Sequence, residues 1–186
     1  MAEMSQFSRW MINRRTASRA RRSLAKLGSA LNVGPSDRVL ELGSGGGGMI
    51  ALLYERFHPA AIVGTDFDPH QVDAAKEYLE RHLGSLPGSI ALRQADALSI
   101  PYPNASFDVV FAMQMLHHVE ERHTEYKNRP RALAEIRRVL RPGGLLVYSE
   151  IFARTQLRDS LREQGFSQEF LRTGWRQDIG IFRAPR

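Results

Sequence analysis

Residues 39–50 read Val-Leu-Glu-Leu-Gly-Ser-Gly-Gly-Gly-Gly-Met-Ile, and this stretch decides the fold. Three apolar residues and one acid predict a short buried strand. Six residues follow, five of them glycine, and the apolar run from Met49 predicts the start of a helix. A strand, a glycine turn and a helix in this order are typical of a nucleotide-binding α/β unit. Glycine suits the turn because it adopts positive φ and lets a ligand lie against the backbone.

The composition indicates one domain with a sizeable core. The chain has 186 residues, of which 42% are hydrophobic and 25% are charged, as in ordinary globular proteins. It contains no cysteine, which excludes disulfides, iron–sulfur clusters and thiol nucleophiles. We expect no transmembrane helix, because no apolar run approaches ~18 residues. The amino terminus lacks the apolar core of a secretory signal, so we expect a cytoplasmic protein.

The net charge of +6 comes from the amino-terminal segment. Residues 1–36 contain seven basic residues and one acid, so the remaining chain is neutral. The apolar spacing predicts a helix over 5–31, with arginines between its apolar positions. The helix can pack on the domain with its arginines in water. Alternatively, residues 5–27 form a basic amphipathic helix that contacts an anionic membrane or nucleic acid.

Strands and helices alternate along the chain, which predicts a mostly parallel sheet with helices on both faces. Parallel strands are predicted over 38–42, 61–66, 90–94, 107–112 and 145–151. Helices are predicted over 47–57, 70–83, 130–140 and 155–164. Two short segments, 168–173 and 178–182, predict an antiparallel carboxy-terminal hairpin. We therefore expect a Rossmann-like, seven-stranded α/β domain over 36–186, preceded by a helix within 1–35 that covers the site.

Acidic residues follow two of the predicted strands, at the edge where such sheets bind ligands. Asp66 ends the second strand, about twenty residues after the glycines, where an acid suits the hydroxyls of a ribose. Asp96 follows the third strand and can accept a hydrogen bond from an adenine amine. This pattern predicts an adenosine site. Glu41 in the first strand and the absence of a basic residue from the glycine loop disfavour NAD.

Five motifs in this order resemble the class I S-adenosylmethionine-dependent methyltransferases of the small-molecule type. That family includes ubiquinone and menaquinone biosynthesis enzymes and bacterial phospholipid N-methyltransferases. The resemblance covers about residues 36–150. Its motifs are residues 39–47, 63–69, 96–110, 116–119 and 135–144. The resemblance implies that S-adenosylmethionine is the cofactor.

The resemblance assigns one group of residues to the methionine part of the cofactor. Gly43, Ser44 and Gly45 would pass close to the methionine moiety. Glu41 would hold the loop or reach the methionine amine, and Ala112 would offer its backbone near that amine.

A second group of residues would bind the adenosine. Asp66 would bind both ribose hydroxyls, and Phe67 would lie against the adenine. Asp96 and Ala97 would contact the adenine edge. The resembling sequences more often have Ser or Asn where this chain has Asp68, which we interpret as the cap of the helix that follows.

Methyl transfer from a sulfonium is an in-line displacement that needs alignment more than acid–base groups. A base helps only where the acceptor has a proton to lose. We predict His118 as that base, with His117 and Tyr148 as further candidates. The alternative for the histidine pair is a junction with one ring packed and one solvated. We expect no metal ion, although His123 lies near the pair in sequence.

The acceptor is predicted to be a small molecule or a lipid-like molecule. Met113, Met115, Trp10 and Met11 would make its pocket apolar and adaptable. Residues 112–115 do not match the motif that related enzymes use to methylate the amines of nucleic-acid bases, so a nucleic-acid partner is disfavoured. Two alternatives stay open: a cofactor- or RNA-binding module without catalysis, and an NAD-dependent oxidoreductase.

Overall fold

The computed structural model describes residues 16–120, 127–152 and 154–186. Within them the helices are α1 (Thr16–Leu27), α2 (Gly48–Phe57), α3 (Pro69–Leu83), α4 (Arg129–Val139) and α5 (Arg154–Glu163). The strands are β1 (Arg38–Leu42), β2 (Ala61–Asp66), β3 (Ile90–Gln94), β4 (Phe107–Met113), β5 (Leu140–Glu150), β6 (Ser167–Thr173) and β7 (Asp178–Arg183). A short 3₁₀ turn, Gly28–Ala30, follows α1. Of the helix predicted over 5–31, residues 5–15 lie outside the described part.

The described strands form one seven-stranded sheet in the order β3-β2-β1-β4-β5-β7-β6. The first five strands of that order are parallel, and β7 runs antiparallel to both of its neighbours. The predicted fold class is therefore confirmed. The strand order reverses beside β1, whose neighbours are β2 and β4, and a crevice at such a switch point is where α/β sheets bind ligands.

The sheet has an apolar layer on each face, because successive side chains of a strand point to opposite faces. One layer joins α1, α2 and α3 through residues such as Leu24, Ile50 and Leu79. The other joins α4 and α5 through residues such as Leu133 and Leu157. Helix α1 thus packs on the domain, as one of the two interpretations of the basic segment predicted.

The first residues of α3 show why that helix starts where it does. Asp68 has an extended backbone, and its carboxylate accepts a hydrogen bond from the backbone N–H of His70 at 3.0 Å. Pro69 follows at the first helical position, where its missing N–H is not needed. The predicted cap at Asp68 is confirmed, and it fixes the chain that leads away from the end of β2.

Strand β5 starts earlier than predicted. Leu140 already pairs with Phe107 of β4, and the register then shifts before Val109 pairs with Leu145. Between the two pairs the chain turns through Gly143, whose φ is +75°. The helix predicted over 130–140 ends one residue earlier, at Val139, and the interruption that follows lies within the strand. None of the described helices is long and apolar enough to cross a membrane.

Candidate functional site

A cavity of about 810 Å³ lies over the carboxyl ends of β1, β2 and β4. Its lining runs from Glu41 and the glycine turn, past Asp66, to His117, His118 and Ile151 on the far side. Helix α1 closes part of the wall through Arg19 and Ser23. The cavity is near the upper end of the usual size of small-molecule sites, so two ligands can lie in it side by side.

The glycine turn is built for close approach of a ligand. Gly43 has a φ of +67°, and a Cβ at this position would lie 2.7 Å from the Cβ of Met115. Ser44 donates its backbone N–H to the Thr65 carbonyl at 2.9 Å, and Gly45 donates its N–H to a carboxylate oxygen of Asp66 at 2.9 Å. The turn is therefore fastened to β2, and its exposed backbone forms one wall of the cavity.

Glu41 is a buried acid in the wall of the cavity. Burial raises its pKa well above the usual range, and the negative charge of Asp66 raises it further. Among the described residues, one carboxylate oxygen of Glu41 and the hydroxyl of Ser44 have no hydrogen-bond partner. A ligand with a positively charged amine would satisfy these buried groups, which otherwise cost free energy.

Asp66 faces the same space from the end of β2. Burial raises its pKa, although the N–H groups of Asp68 and Gly45 oppose that rise by hydrogen bonding to the carboxylate. The bond from Asp68 measures 3.0 Å. These two N–H groups fix the orientation of the carboxylate. Each carboxylate oxygen can accept more than one hydrogen bond, so Asp66 can also bind a pair of ligand hydroxyls.

The predicted adenine contacts divide into two groups. Phe67 and Ala97 line the cavity. Asp96 does not line it, because its carboxylate accepts a hydrogen bond from the backbone N–H of Leu98 at 2.8 Å within its own loop. Of these two neighbours, Ala97 therefore contributes to the wall of the cavity and Asp96 does not.

Ala112 also lies outside the lining. It is fully buried in the layer that α4 and α5 cover, because its position in β4 points to that face. The wall at the carboxyl end of β4 comprises Met113, Gln114 and Met115. Gln114 adopts a φ of +57° and donates its N–H to the Ser149 carbonyl at 2.7 Å. This turn brings Met115 over Gly43, so the apolar end of the cavity adjoins the glycine turn.

The two histidines differ in their surroundings. His117 is buried and its Nδ1 lies 2.7 Å from a carboxylate oxygen of Glu150, while its backbone N–H donates to the other oxygen at 3.1 Å. His118 is exposed, with its ring centroid 3.9 Å from that of His117. The alternative of one packed and one solvated ring is therefore confirmed, and the carboxylate contact belongs to His117.

Glu150 is the residue that sequence reasoning missed. It ends β5 as Asp66 ends β2, so an acid at the carboxyl end of a parallel strand was the available signal. Burial raises the pKa of Glu150, but hydrogen bonding and charge from His117, with the N–H groups of Ile151 and Phe152, outweigh this and lower it. The ionised carboxylate keeps the proton of neutral His117 on Nδ1, which leaves Nε2 as the basic atom.

Tyr148 does not belong to the site, so its candidacy as a base was wrong. Its ring is fully buried in the layer under α4 and α5, with its centroid 5.5 Å from that of Phe182. Burial and the charge of Asp178 raise the pKa of its hydroxyl. Trp10, Met11 and His123, which the sequence placed near the site, lie outside the described residues.

The chain matches the family described as "Methyltransferase domain" over residues 40–148. It is 40% identical over 114 residues to a phthiotriol/phenolphthiotriol dimycocerosates methyltransferase of Mycobacterium leprae, a match that covers 61% of this chain and 37% of that protein. It is 37% identical over 113 residues to the demethylmenaquinone methyltransferase of Deinococcus radiodurans, covering 61% of this chain and 42% of the relative. The matched part is thus less than half of each relative's length.

Solved structures share the fold at lower identity. A SAM-dependent methyltransferase from Aquifex aeolicus superposes with a TM-score of 0.76 at 15% identity, covering 98% of this chain and all of that one. The [4+2]-cyclase SpnF superposes with a TM-score of 0.68 at 24% identity, covering 93% of this chain and 80% of the cyclase. At such identities the likeness is one of fold alone.

Proposed function

Because this chain belongs to the methyltransferase domain family, we propose that it transfers a methyl group from S-adenosylmethionine to a small, apolar or lipid-like acceptor. The predicted class I S-adenosylmethionine-dependent methyltransferase and its cofactor are confirmed, and they are supported over the NAD-dependent alternative. The acceptor is the proposed part. The observation that carries it is the cavity that joins the glycine turn and two acids to an apolar, methionine-lined end.

The residues at the glycine end fit the cofactor. Asp66 would accept both ribose hydroxyls, and Phe67 would lie against the adenine. Glu41 and Ser44 offer oxygens for the methionine amine, and the missing Cβ of Gly43 leaves room beside Met115. Bound S-adenosylmethionine supplies an electrophilic methyl group on a sulfonium.

His117 is our candidate for the base where the acceptor is a hydroxyl. Glu150 orients the imidazole, so Nε2 can take the proton from the acceptor oxygen, and the carboxylate stabilises the imidazolium that forms. His118, the residue that the sequence analysis proposed, lines the same cavity and remains the competing candidate. A phenol or a quinol is the acceptor class that gains most from such a base.

Calorimetry tests the cofactor site. S-adenosylmethionine should bind and NADH should not. Asp66→Asn should weaken S-adenosylmethionine binding by about tenfold to a hundredfold, since hydrogen bonds from a ligand to a charged group contribute about 1.5–3 kcal/mol. Asp73→Asn, the matched change of an exposed acid in α3, should leave the affinity unchanged. Equal loss in both variants would contradict the assigned role of Asp66.

Product formation tests the acceptor class. We expect S-adenosylhomocysteine to accumulate with demethylmenaquinol or another apolar phenol, and not with a tRNA transcript. Transfer to the RNA alone would overturn the proposal and favour a nucleic-acid substrate. Binding of S-adenosylmethionine with no transfer to any of these acceptors would favour the alternative of a cofactor-binding module without catalysis.

We further propose that residues 5–27 contact an anionic membrane surface and that the protein is a cytoplasmic, peripheral one. In α1, the described part of this segment, Arg19, Arg21 and Arg22 are exposed and no acid is present. Each well-placed basic residue contributes roughly 1 kcal/mol at such a surface. Binding to anionic vesicles should weaken with salt and with deletion of residues 1–15. Salt-insensitive binding would contradict the proposal.

A further inference from the structure

The turn between β6 and β7, residues 174–177, lies at the same edge of the sheet as the cavity. Asp178, the first residue of β7, pairs with Glu150 at the carboxyl end of β5. Arg154 fastens the turn from the start of α5, because its guanidinium donates to the Gly174 carbonyl at 2.6 Å and to the Trp175 carbonyl at 3.3 Å. The turn is therefore held beside the acceptor end of the site.

Three large apolar side chains are exposed around this edge. Trp175 is 86% exposed, Phe152 is 45% exposed and Ile151 is 38% exposed. Ile151 also lines the cavity, and the Phe152 ring lies 5.1 Å from that of His117. We call Ile151, Phe152, Trp175 and Arg176 the rim patch. Its members lie at one edge of the sheet, Ile151 and Phe152 at the cavity and Trp175 with Arg176 in the hairpin turn.

Basic residues surround the rim patch. The guanidinium of Arg176 lies 4.8 Å from the centre of the Trp175 ring. Lys26 of α1 hydrogen-bonds to Gln177 in the turn, which places α1 beside the hairpin. Arg19 and Arg22 are exposed, and because they lie seven and four residues before Lys26, the three share one face of the helix.

The neighbouring acid does not cancel this positive charge. Asp178 is fully buried, and its carboxylate pairs with Arg154 at 3.2 Å and with Arg158 at 3.5 Å. Residues 16–36 contain no acid at all. Among the residues that the structure describes, the exposed charge beside the rim patch is therefore positive.

We propose that the rim patch and the basic face of α1 dock together on an anionic lipid bilayer, with the mouth of the cavity toward the lipid. Tryptophan is enriched at the membrane interface, and basic residues beside apolar ones are typical of proteins that lie on anionic membranes. A nucleic acid would use the arginines but gives no role to Ile151 and Phe152. The docking itself does not depend on the proposed function. Its consequence rests on that function, because an apolar acceptor would then enter the cavity from the bilayer.

Co-sedimentation of the full chain with vesicles tests the docking. The probe is a vesicle of equal parts phosphatidylglycerol and phosphatidylcholine, compared with phosphatidylcholine alone. Trp175→Ala should weaken binding to the anionic vesicles about tenfold, because it removes most of the apolar area that the tip can bury. Trp175→Phe should restore most of the binding. Arg176→Glu should weaken it at least fivefold.

A matched charge reversal controls for the net charge. Arg93→Glu changes an exposed arginine on β3, two strands beyond β1 on the side away from the hairpin, and it should alter binding less than twofold. A Trp10→Phe background leaves Trp175 as the only tryptophan, and its emission should shift to shorter wavelength when anionic vesicles are added. The shift reports entry of this side chain into the lipid.

Several outcomes would overturn the proposal. Unchanged binding in Trp175→Ala and Arg176→Glu would assign the contact to the amino-terminal segment alone. An equal loss in Arg93→Glu would mean that only net charge matters. Binding to RNA in the absence of vesicle binding would make the surface a nucleic-acid site. Calorimetry of S-adenosylmethionine binding distinguishes failure of this proposal from failure of the proposed function. Loss of S-adenosylmethionine binding would overturn the proposed function, whereas loss of vesicle binding would not.

Discussion

Two acids in the wall of one cavity create a cost that a ligand can remove. Glu41 is buried near Asp66, and both have pKa values above the usual range because burial disfavours their charged forms. A carboxyl with a raised folded-state pKa stabilises the protein at low pH, and that stabilisation is lost as the pH rises through the folded-state pKa. Without a ligand, burying these acids is therefore less favourable at neutral than at acidic pH, and a cationic ligand offsets that cost.

Glu41→Gln should separate stability from binding. We expect the free energy of unfolding at pH 7 to rise by about 1–2 kcal/mol, since glutamine removes the cost of burying an acid whose charged form is disfavoured there. The gain should disappear below about pH 4, where the carboxyl is protonated in both states. Affinity for S-adenosylmethionine should fall at the same time. Urea unfolding at several pH values and calorimetry measure the two effects, and a loss of stability at pH 7 would contradict the account.

The pair of His117 and Glu150 yields a second prediction at this scale. With demethylmenaquinol as acceptor, His117→Gln should lower kcat about 10²- to 10⁴-fold, the usual contribution of a general base. Glu150→Gln should lower kcat less and should leave the KM for S-adenosylmethionine unchanged, because Glu150 acts through His117.

His118→Gln is the matched control for this pair. It should change kcat less than about threefold, because this ring is exposed whereas His117 is buried against Glu150. A loss in His118→Gln as large as that in His117→Gln would restore His118 as the base. Far-UV circular dichroism of all three variants checks that each one folds.

At the scale of elements, the glycine turn connects β1 to α2 and also lies against the segment that follows β4. Gly43 follows β1, and the residue that a Cβ there would strike is Met115, after β4. Gly43→Ala should destabilise the protein by about 1–3 kcal/mol, because alanine is strained at a φ of +67° and would push Met115 away. Affinity for S-adenosylmethionine should fall more than tenfold.

Gly88→Ala provides the matched control, since an added Cβ there meets nothing within 4 Å. It should leave both stability and affinity almost unchanged. Adding Met115→Gly to Gly43→Ala removes the clash with the Met115 Cβ but not the backbone strain, and we expect partial recovery. Full recovery in the double variant would mean that the positive φ of Gly43 costs nothing in the alanine variant.

Most elements of the sheet could be predicted from the sequence because each strand is an apolar run that ends in a distinct turn. The bounds of β1, β2 and β3 match the prediction. The site was harder. Asp66 lies at the end of its strand and also lines the cavity, whereas the Asp96 carboxylate turns back to its own loop and lies outside the lining. Chain position predicts where a backbone arrives, but side-chain direction depends on register and local hydrogen bonds, which the sequence pattern does not encode.

Glu150 and Arg19 illustrate a second limit. Arg19 lines the cavity, and Glu150 supports the site through His117. Both residues belong to elements that are distant in sequence from the glycine turn. Glu150 contacts His117 only because β5 pairs with β4, and Arg19 reaches the cavity only because α1 packs on α2. Such contacts depend on tertiary packing, so the acid that ends β5 indicated a position at the site but not its partner, and no local pattern indicated Arg19.

At the scale of the whole molecule, the cofactor should act as a structural ligand. The cavity contacts α1 and the ends of three strands at once, so ligand binding couples them. A ligand at one hundred times its Kd stabilises the folded state by about 2.7 kcal/mol. For a chain of this size that corresponds to about 5–10 °C in Tm. S-adenosylhomocysteine should produce this shift in a thermal scan, whereas NADH should produce none.

The thermal shift also depends on the acids of the site. Asp66→Asn should reduce the shift at the same S-adenosylhomocysteine concentration, and Asp73→Asn should preserve it. A full shift in Asp66→Asn would place the ligand elsewhere in the molecule.

The place of β7 in the sheet has a consequence for synthesis. This strand is formed by residues 178–183, after every other strand in sequence, yet it lies between β5 and β6. While a ribosome is still making the chain, β6 is polymerised before its only neighbour in the sheet exists, and the edge of β5 is open. The sheet is incomplete until β7 is inserted between β5 and β6, so its completion is a late, all-or-none event. A nascent chain stopped just before Asp178 would present two unpaired edges to chaperones.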